Sequence, residues 1–189
     1  GGILAGGGLG HYLSGWIVDG EPEIDLSEID PRRFGAYANK AWTAIKVRET
    51  FGHNFGIHYP DYEWPLGRPA KTPPCYDRLS EMGAVWGAVY GWEVPNWFAP
   101  PGVAAEDEYS YRRTNYFEPV GAEARAVRES AGLLEMTPMA KFEVSGAGAE
   151  PWLDRILANR VPAAIGGITL CHLLTERGTV RAEFTVTRL

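Results

Sequence analysis

The chain has 189 residues, 24 of them acidic and 18 basic, for a formal net charge of −6. Hydrophobic residues make up 45% and charged residues 22%, an ordinary globular balance that excludes disorder along the whole length. At roughly 150 residues per domain the length implies one or two domains. The acidic balance argues against nucleic acid and anionic membranes, which are gripped through Lys and Arg.

The opening run is uncharged and glycine-rich. Ala5-Gly6-Gly7-Gly8-Leu9-Gly10 reads as a turn leading into a short apolar helix over 12–18, which Gly20 and Pro22 end. It has no basic leading region and no cleavage signature, so neither a signal peptide nor a membrane span is expected. The chain starts on Gly and closes on the strand-like Thr185-Val186-Thr187-Arg188-Leu189, and the expectation is a segment of a longer protein. Ser27 and Asp30-Pro31 mark turns and helix starts. Phe34, Tyr37, Ala38, Ala41 and Ile45 fall at helical spacing, with Lys40, Lys46 and Arg48 opposite, which predicts an amphipathic helix ending near Gly52. Tyr59-Pro60, Trp64-Pro65, Arg68-Pro69 and Pro73-Pro74 then predict an ordered aromatic loop.

A short helix over 76–82 and a strand over 85–90 follow. Residues 91–101 are aromatic and proline-rich. Pro100-Pro101-Gly102 and the small acidic run 104–108 are expected to form a mobile, exposed connection between two parts of the fold. Val120, Ala124, Val127, Ala131 and Leu134 share a helical face, which predicts a helix over 119–131 stopped by Gly132. Phe142 and Val144 alternate with polar residues and predict a strand. A helix carrying Leu153, Ile156 and Leu157 comes next, with Pro151 in its first turn. Ile168–Leu174 and 180–189 read as a hairpin, with Gly178 supplying a positive φ.

Few residues advertise chemistry. Gly6, Gly7 and Gly8 before a helix could let a ligand approach the backbone and meet free N–H groups, or could simply form a tight turn. His53 and His58, five apart, do not share a helical face, and no metal site is expected. Trp92, Trp97 and Phe98 around Pro95 could stack on a flat ligand or staple a core, the core being the preferred reading. Cys75 and Cys171 belong to no CxxC or Cys/His cluster and read as structural thiols of a reducing, intracellular setting. His172 follows Cys171 directly, but neighbours on a strand point to opposite faces, so no Cys–His pair forms there. Ser145 reads as a strand end before a helix. Glu183, taken alone, is a solvated carboxylate near the hairpin mouth.

Four stretches acquire more meaning in combination. They are Ala5-Gly6-Gly7-Gly8-Leu9-Gly10 with Trp16-Ile17-Val18-Asp19-Gly20-Glu21-Pro22; Asp30-Pro31-Arg32-Arg33-Phe34; Gly91-Trp92-Glu93-Val94-Pro95-Asn96-Trp97-Phe98; and Lys141-Phe142-Glu143-Val144-Ser145-Gly146 through Ala158-Asn159-Arg160-Val161 to Thr185-Val186-Thr187-Arg188-Leu189. In this order they resemble the dimethylglycine/sarcosine dehydrogenase family. Those flavoproteins join an FAD-dependent amine oxidoreductase to a folate-binding domain similar to the glycine-cleavage T protein, an aminomethyltransferase.

The resemblance implies an α+β fragment. Residues 1–22 would end the FAD-binding oxidoreductase domain, 23–78 would form its central domain, and 79–189 would be the N-terminal part of the T-protein-like domain. It implies FAD and tetrahydrofolate as cofactors, a small N-methyl amine as substrate, an electron-transfer partner, and a cytoplasmic or mitochondrial-matrix setting. It places Gly6, Gly7 and Gly8 against the flavin and Glu183 at the folate site as a catalytic carboxylate. The family usually carries Asp there, in a Ser-Asp or Asp-Asp pair; here the pair is Ala182-Glu183. That departure leaves a second reading, a noncatalytic structural or interaction module derived from the same family.

The dinucleotide-binding fingerprint is absent from these residues, and with it the pyrophosphate-binding βαβ unit. The 189-residue chain is therefore expected to be inactive alone and to purify without flavin. An absorbance spectrum checks this: a yellow protein with stoichiometric flavin overturns the assignment of 1–22.

Overall fold

The structure, a computed structural model, describes residues 2–189, so Gly1 at the head of the glycine run lies outside the described residues. The chain forms two compact units, one reaching Met139 and one from Ala140 to Leu189. The architecture is α+β, with helices and antiparallel hairpins side by side in the chain.

The first unit opens on α1, Gly2–Asp19. The turn expected at Gly6–Gly8 is not there, because the helix already runs through them. Glycine disfavours a helix interior by roughly 0.5–1 kcal/mol relative to Ala but does not forbid it. An apolar 18-residue stretch with no proline propagates through the glycines. Arg32 lies over the Trp16 ring, 4.9 Å from its centroid, and links α1 to the 3-10 turn Pro31–Arg33. That turn is capped by the Asp30 carboxylate, which accepts from Arg32 N at 2.8 Å.

α2, Lys40–His53, starts six residues later than the apolar periodicity suggests. The Asn39 side chain accepts from Ala41 N and Trp42 N at 3.0 and 3.1 Å, and such a cap fixes the first turn. Phe34 and Tyr37, outside the helix, instead pack against Trp42, tilted and edgewise respectively, with centroids 5.8 and 5.2 Å away.

α3, Tyr76–Glu81, leads through Gly83 into β1, Ala84–Val89, which pairs antiparallel with β2, Trp92–Phe98. The strand β2 is concealed in the sequence by Pro95, which has no N–H to give. The ladder shifts register between Val85 and Trp86, beside that proline, so Asn96 is the extra residue. Tyr90 and Gly91 join the strands, both at positive φ (51° and 80°), as a two-residue turn matched to strand twist requires. Val85, Ala99 and the almost wholly buried Trp97 form the core, with Tyr116 against them.

Residues 100–116 are not a free connection. Asp107 accepts from Trp97 Nε1 at 2.8 Å and from the Tyr109 hydroxyl at 3.3 Å. Asn115 brackets the same segment, accepting from Glu108 N and donating to Glu106 O. Then α4, Phe117–Glu129, turns Glu123 inward to accept from Phe98 N at 2.9 Å. The expected division near residue 100 thus falls inside one unit, because the buried core indole needs an acceptor and finds it in half-buried Asp107 beyond the prolines.

In the second unit the strand expected at 141–145 is absent. Phe142 and Val144 are exposed, and no described residue pairs with them; a strand exists only through its ladder. α5, Ala149–Ile156, holds Pro151 in its first turn, and β3, Ile168–Leu174, pairs antiparallel with β4, Val180–Thr187. Leu157 and the fully buried Cys171 make the small core. Ala158 N donates to His172 O at 2.9 Å and Asn159 Nδ2 to Leu170 O at 3.1 Å, fastening the segment after α5 to β3.

Gly83 tests the first unit. It sits at φ +90°, and a Cβ there would stand 2.7 Å from the carbonyl oxygen of Ala99, a backbone atom. Gly83→Ala is expected to cost at least about 1–2 kcal/mol from the left-handed conformation alone. Urea denaturation of the chain measures this, and a loss under about 0.5 kcal/mol, the scale of an ordinary surface change, contradicts the placement.

Candidate functional site

Two places combine charge with defined geometry, one in each unit. In the first unit a cleft of about 290 Å³ opens between α2, the 63–70 loop and the β1–β2 turn. Its walls include Phe34, Tyr37, Trp42, Trp64 and Tyr90. Its cations are largely committed. Lys46 Nζ is 2.6 Å from Glu49, whose other oxygen accepts from Leu66 N at 2.7 Å. Arg68 makes a bidentate pair with buried Glu93, at 3.0 and 2.6 Å, and donates to Trp86 O at 2.8 Å. Burial disfavours the Arg68 charge, but the Glu93 hydrogen bonds and attraction, with Glu63 at 3.8 Å, outweigh it and hold the guanidinium above its ordinary range. Burial likewise pushes the Tyr37 hydroxyl up.

Beside the cleft, Lys71 is bracketed by aromatic faces, with Nζ 5.1 Å from the Tyr37 ring and 4.9 Å from Trp92. Its backbone donates to Gly91 O and accepts from Glu93 N, at 2.9 and 2.8 Å. Gly91 fits there because a Cβ would stand 2.6 Å from the Tyr37 ring. Sequence reasoning missed Glu49, Arg68 and Glu93 as a group. The one available signal was a carboxylate between Trp92 and Val94 and an arginine locked before a proline.

The second place is the exposed face of the β3–β4 hairpin. Glu183 and His172 are directly opposite in register, and His172 Nε2 lies 2.8 Å from Glu183 Oε2. Cys171 points the other way and is fully buried, which burial and then Asp154 translate into a raised thiol pKa. The alternation of a strand therefore keeps Cys171 and His172 apart, as expected. Ile168, Leu170 and Leu174 share the His172 face and are exposed, with Thr187 and Thr185 opposite the first two on β4, so the dyad stands on a mixed face of apolar and hydroxyl side chains. Glu183 Oε1 has no described partner and is able to accept an N–H.

Gly6, Gly7 and Gly8 stand in the first unit and Glu183 in the second. The glycines fit no amide cradle. Only the first turn of a helix has free N–H groups, and these three lie beyond it in α1. What they offer is bare backbone, since a Cβ on any of them would meet nothing within 4 Å. Trp97 is core, not a ligand platform. His53 and His58 belong to an aromatic cluster with Tyr62 and Trp64, and His58 Nε2 lies 3.1 Å from His53 O. No cluster with metal-holding composition occurs among the described residues. No described helix is long and apolar enough to cross a membrane.

Residues 75–189 match the GCVT N-terminal domain. The chain belongs to that family. Residues 19–72 match the FAD dependent oxidoreductase central domain, so the two modules follow one another as the four motifs implied. Among curated proteins, the chain is 40% identical over 185 residues to dimethylglycine dehydrogenase, mitochondrial, of Rattus norvegicus, covering 98% of this chain and 22% of the relative. It is 29% identical to human sarcosine dehydrogenase, mitochondrial, covering all of this chain and 23% of that protein. It is also 29% identical to the mouse pyruvate dehydrogenase phosphatase regulatory subunit, mitochondrial, covering all of this chain and 22% of that one. The resemblance to the dimethylglycine/sarcosine dehydrogenase proteins is thus borne out, and the chain spans about a fifth of the length of these relatives.

The two matches meet between residues 72 and 75, yet the Arg68–Glu93 pair bridges them. Glu93→Gln removes the counter-charge of a buried guanidinium and is expected to cost about 3–5 kcal/mol. A shift in the urea midpoint of the first unit is the readout; a loss below about 1 kcal/mol, the value of a surface pair, means the pair is solvated.

Proposed function

We propose that the whole protein containing this chain oxidises a small N-methyl amine, of the dimethylglycine or sarcosine kind, and passes the released one-carbon unit to tetrahydrofolate. FAD supplies the hydride acceptor for the amine and tetrahydrofolate the nitrogen that takes up the carbon. Electrons leave to a carrier protein, and the setting is the mitochondrial matrix or the cytoplasm. The observation that carries this reading is the identity to rat dimethylglycine dehydrogenase along 98% of the chain, across both modules. The division follows the residues above: 1–22 closing the FAD-binding domain, 23–78 central, 79–189 opening the folate-binding domain. The isolated segment is inactive.

Within it, Glu183 is the folate-side carboxylate. One oxygen is engaged by His172, and Oε1 is left to accept an N–H from the pterin or to take its proton as the carbon is attached. The Asp of the family is replaced by a longer Glu that the cross-strand imidazole can reach. Gly6, Gly7 and Gly8 contribute close approach over bare helix backbone on the flavin side, not amide donation. A noncatalytic interaction module is the second reading, and likeness to a phosphatase regulatory subunit over the whole chain favours it.

The two readings part at Glu183. In the whole protein, Glu183→Gln is expected to leave amine oxidation near its usual rate while methylene-tetrahydrofolate formation falls at least tenfold, and up to the ~10²–10⁴-fold of general-base help. Both half-reactions are to be followed on one preparation. Unchanged folate product makes Glu183 a solvated charge; an equal fall in both makes it structural; no amine oxidation by the unmodified protein favours the interaction module.

A further inference from the structure

We infer that His172 is a positioning residue for Glu183, which fixes one carboxylate oxygen so that the other meets the folate; this rests on the folate-side reading of Glu183. Three observations converge. The two residues are register partners on adjacent strands, so the pair is set by the ladder and not by chance proximity of two surface chains. The distance is 2.8 Å, and the imidazole is about one-third exposed while Glu183 is 61% exposed, so one partner is seated and the other reaches out to it. The seat itself is firm, because the His172 backbone carbonyl accepts from Ala158 N at 2.9 Å and its neighbour Cys171 is wholly buried.

Chain length gives the inference its specificity. A Glu carboxylate stands on one more carbon–carbon bond than Asp, roughly 1.5 Å. An Asp at 183 would draw the carboxylate back from Nε2 to a separation beyond hydrogen-bond range. The imidazole and the longer acid are thus a matched pair, and the extra methylene that could spoil the geometry is held in place by His172. The apolar neighbours Leu170 and Leu174 cannot substitute for it, since neither offers a donor.

The experiment is calorimetric binding of 5-formyltetrahydrofolate to the whole protein, with thermal unfolding of every variant alongside. His172→Leu is expected to weaken binding about three- to five-fold, the scale of a partly exposed pair. His172→Gln, which keeps a donor near the Nε2 position, is expected to restore most of it. Glu183→Asp should weaken binding as much as His172→Leu, and the double variant should be no worse than either, because both break one contact. If Glu183→Gln and Glu183→Asp bind normally, the folate-side reading fails and takes this inference with it. If Glu183→Gln weakens binding while His172→Leu does not, or the His172 and Glu183→Asp effects add, the reading stands and the positioning role is overturned. Should His172→Leu unfold, His172→Gln against Glu183→Asp decides: full binding by the first with loss in the second supports the pairing, and equal loss in both overturns it.

Discussion

The first unit hangs on one ion pair. Glu93 is all but inaccessible on β2, and Arg68 reaches it from a proline-bounded loop, so two opposite charges are removed from water together. Taking each out alone would be expensive, and the cost is offset only because the geometry is bidentate and the remaining donor finds Trp86 O. Once Arg68 is placed, the neighbouring backbone is placed too: Lys71 bonds across to Gly91 and Glu93 as a single rung beside β2. The aromatic residues Tyr37 and Trp92 then close over the Lys71 ammonium. The boundary between the two matched modules is consequently not a boundary between compact units here. The modules share a buried charge pair, and neither partner could stay buried without the other.

A small core explains why polar contacts carry so much. Beyond Trp97, Val85 and Ala99, little apolar surface in the first unit is fully buried. Long-range order comes instead from side chains that satisfy backbone groups far away in sequence. Glu49 reaches Leu66 N, Glu123 reaches Phe98 N, and Trp42 Nε1 reaches Gly67 O. Each removes an unpaired donor that burial would otherwise penalise. No buried side-chain nitrogen or oxygen among the described residues is left without a partner.

This distribution also fixes what could be read from the sequence. Local signals survived: the periodic helices α4 and α5, the short α3, and the β3–β4 hairpin with its glycine at φ +78° are all in place. Most failures arose where a distant contact overrode a local preference. The glycine run is different: it suggests a turn only if glycine is taken as a breaker, but α1 absorbs it. Pro95 hides a strand because the bulge that tolerates it depends on the partner β1. Residues 100–108 look like a linker because their role, accepting from Trp97, is set by a residue outside the segment. At the site, the opposite facing of Cys171 and His172 followed from strand alternation. The His172–Glu183 contact did not, because register depends on the irregularity at Leu173/Leu174 that only the folded hairpin reveals.

The second unit shows how a two-stranded sheet divides labour between its faces. One face carries Cys171, wholly buried, with the segment after α5 fastened to the same strand, and burial raises its thiol pKa. The other carries His172 and Glu183 in the open, with Leu170 and Leu174 flanking the imidazole along β3. A period of two makes this partition unavoidable: moving the register by one residue would put His172 and Glu183 on opposite faces and break the dyad. The same constraint therefore builds the core and presents the acid. Substitutions that loosen Asn159 or Ala158 from β3 should be felt on the opposite face, because those contacts hold the register on which the His172–Glu183 pairing depends.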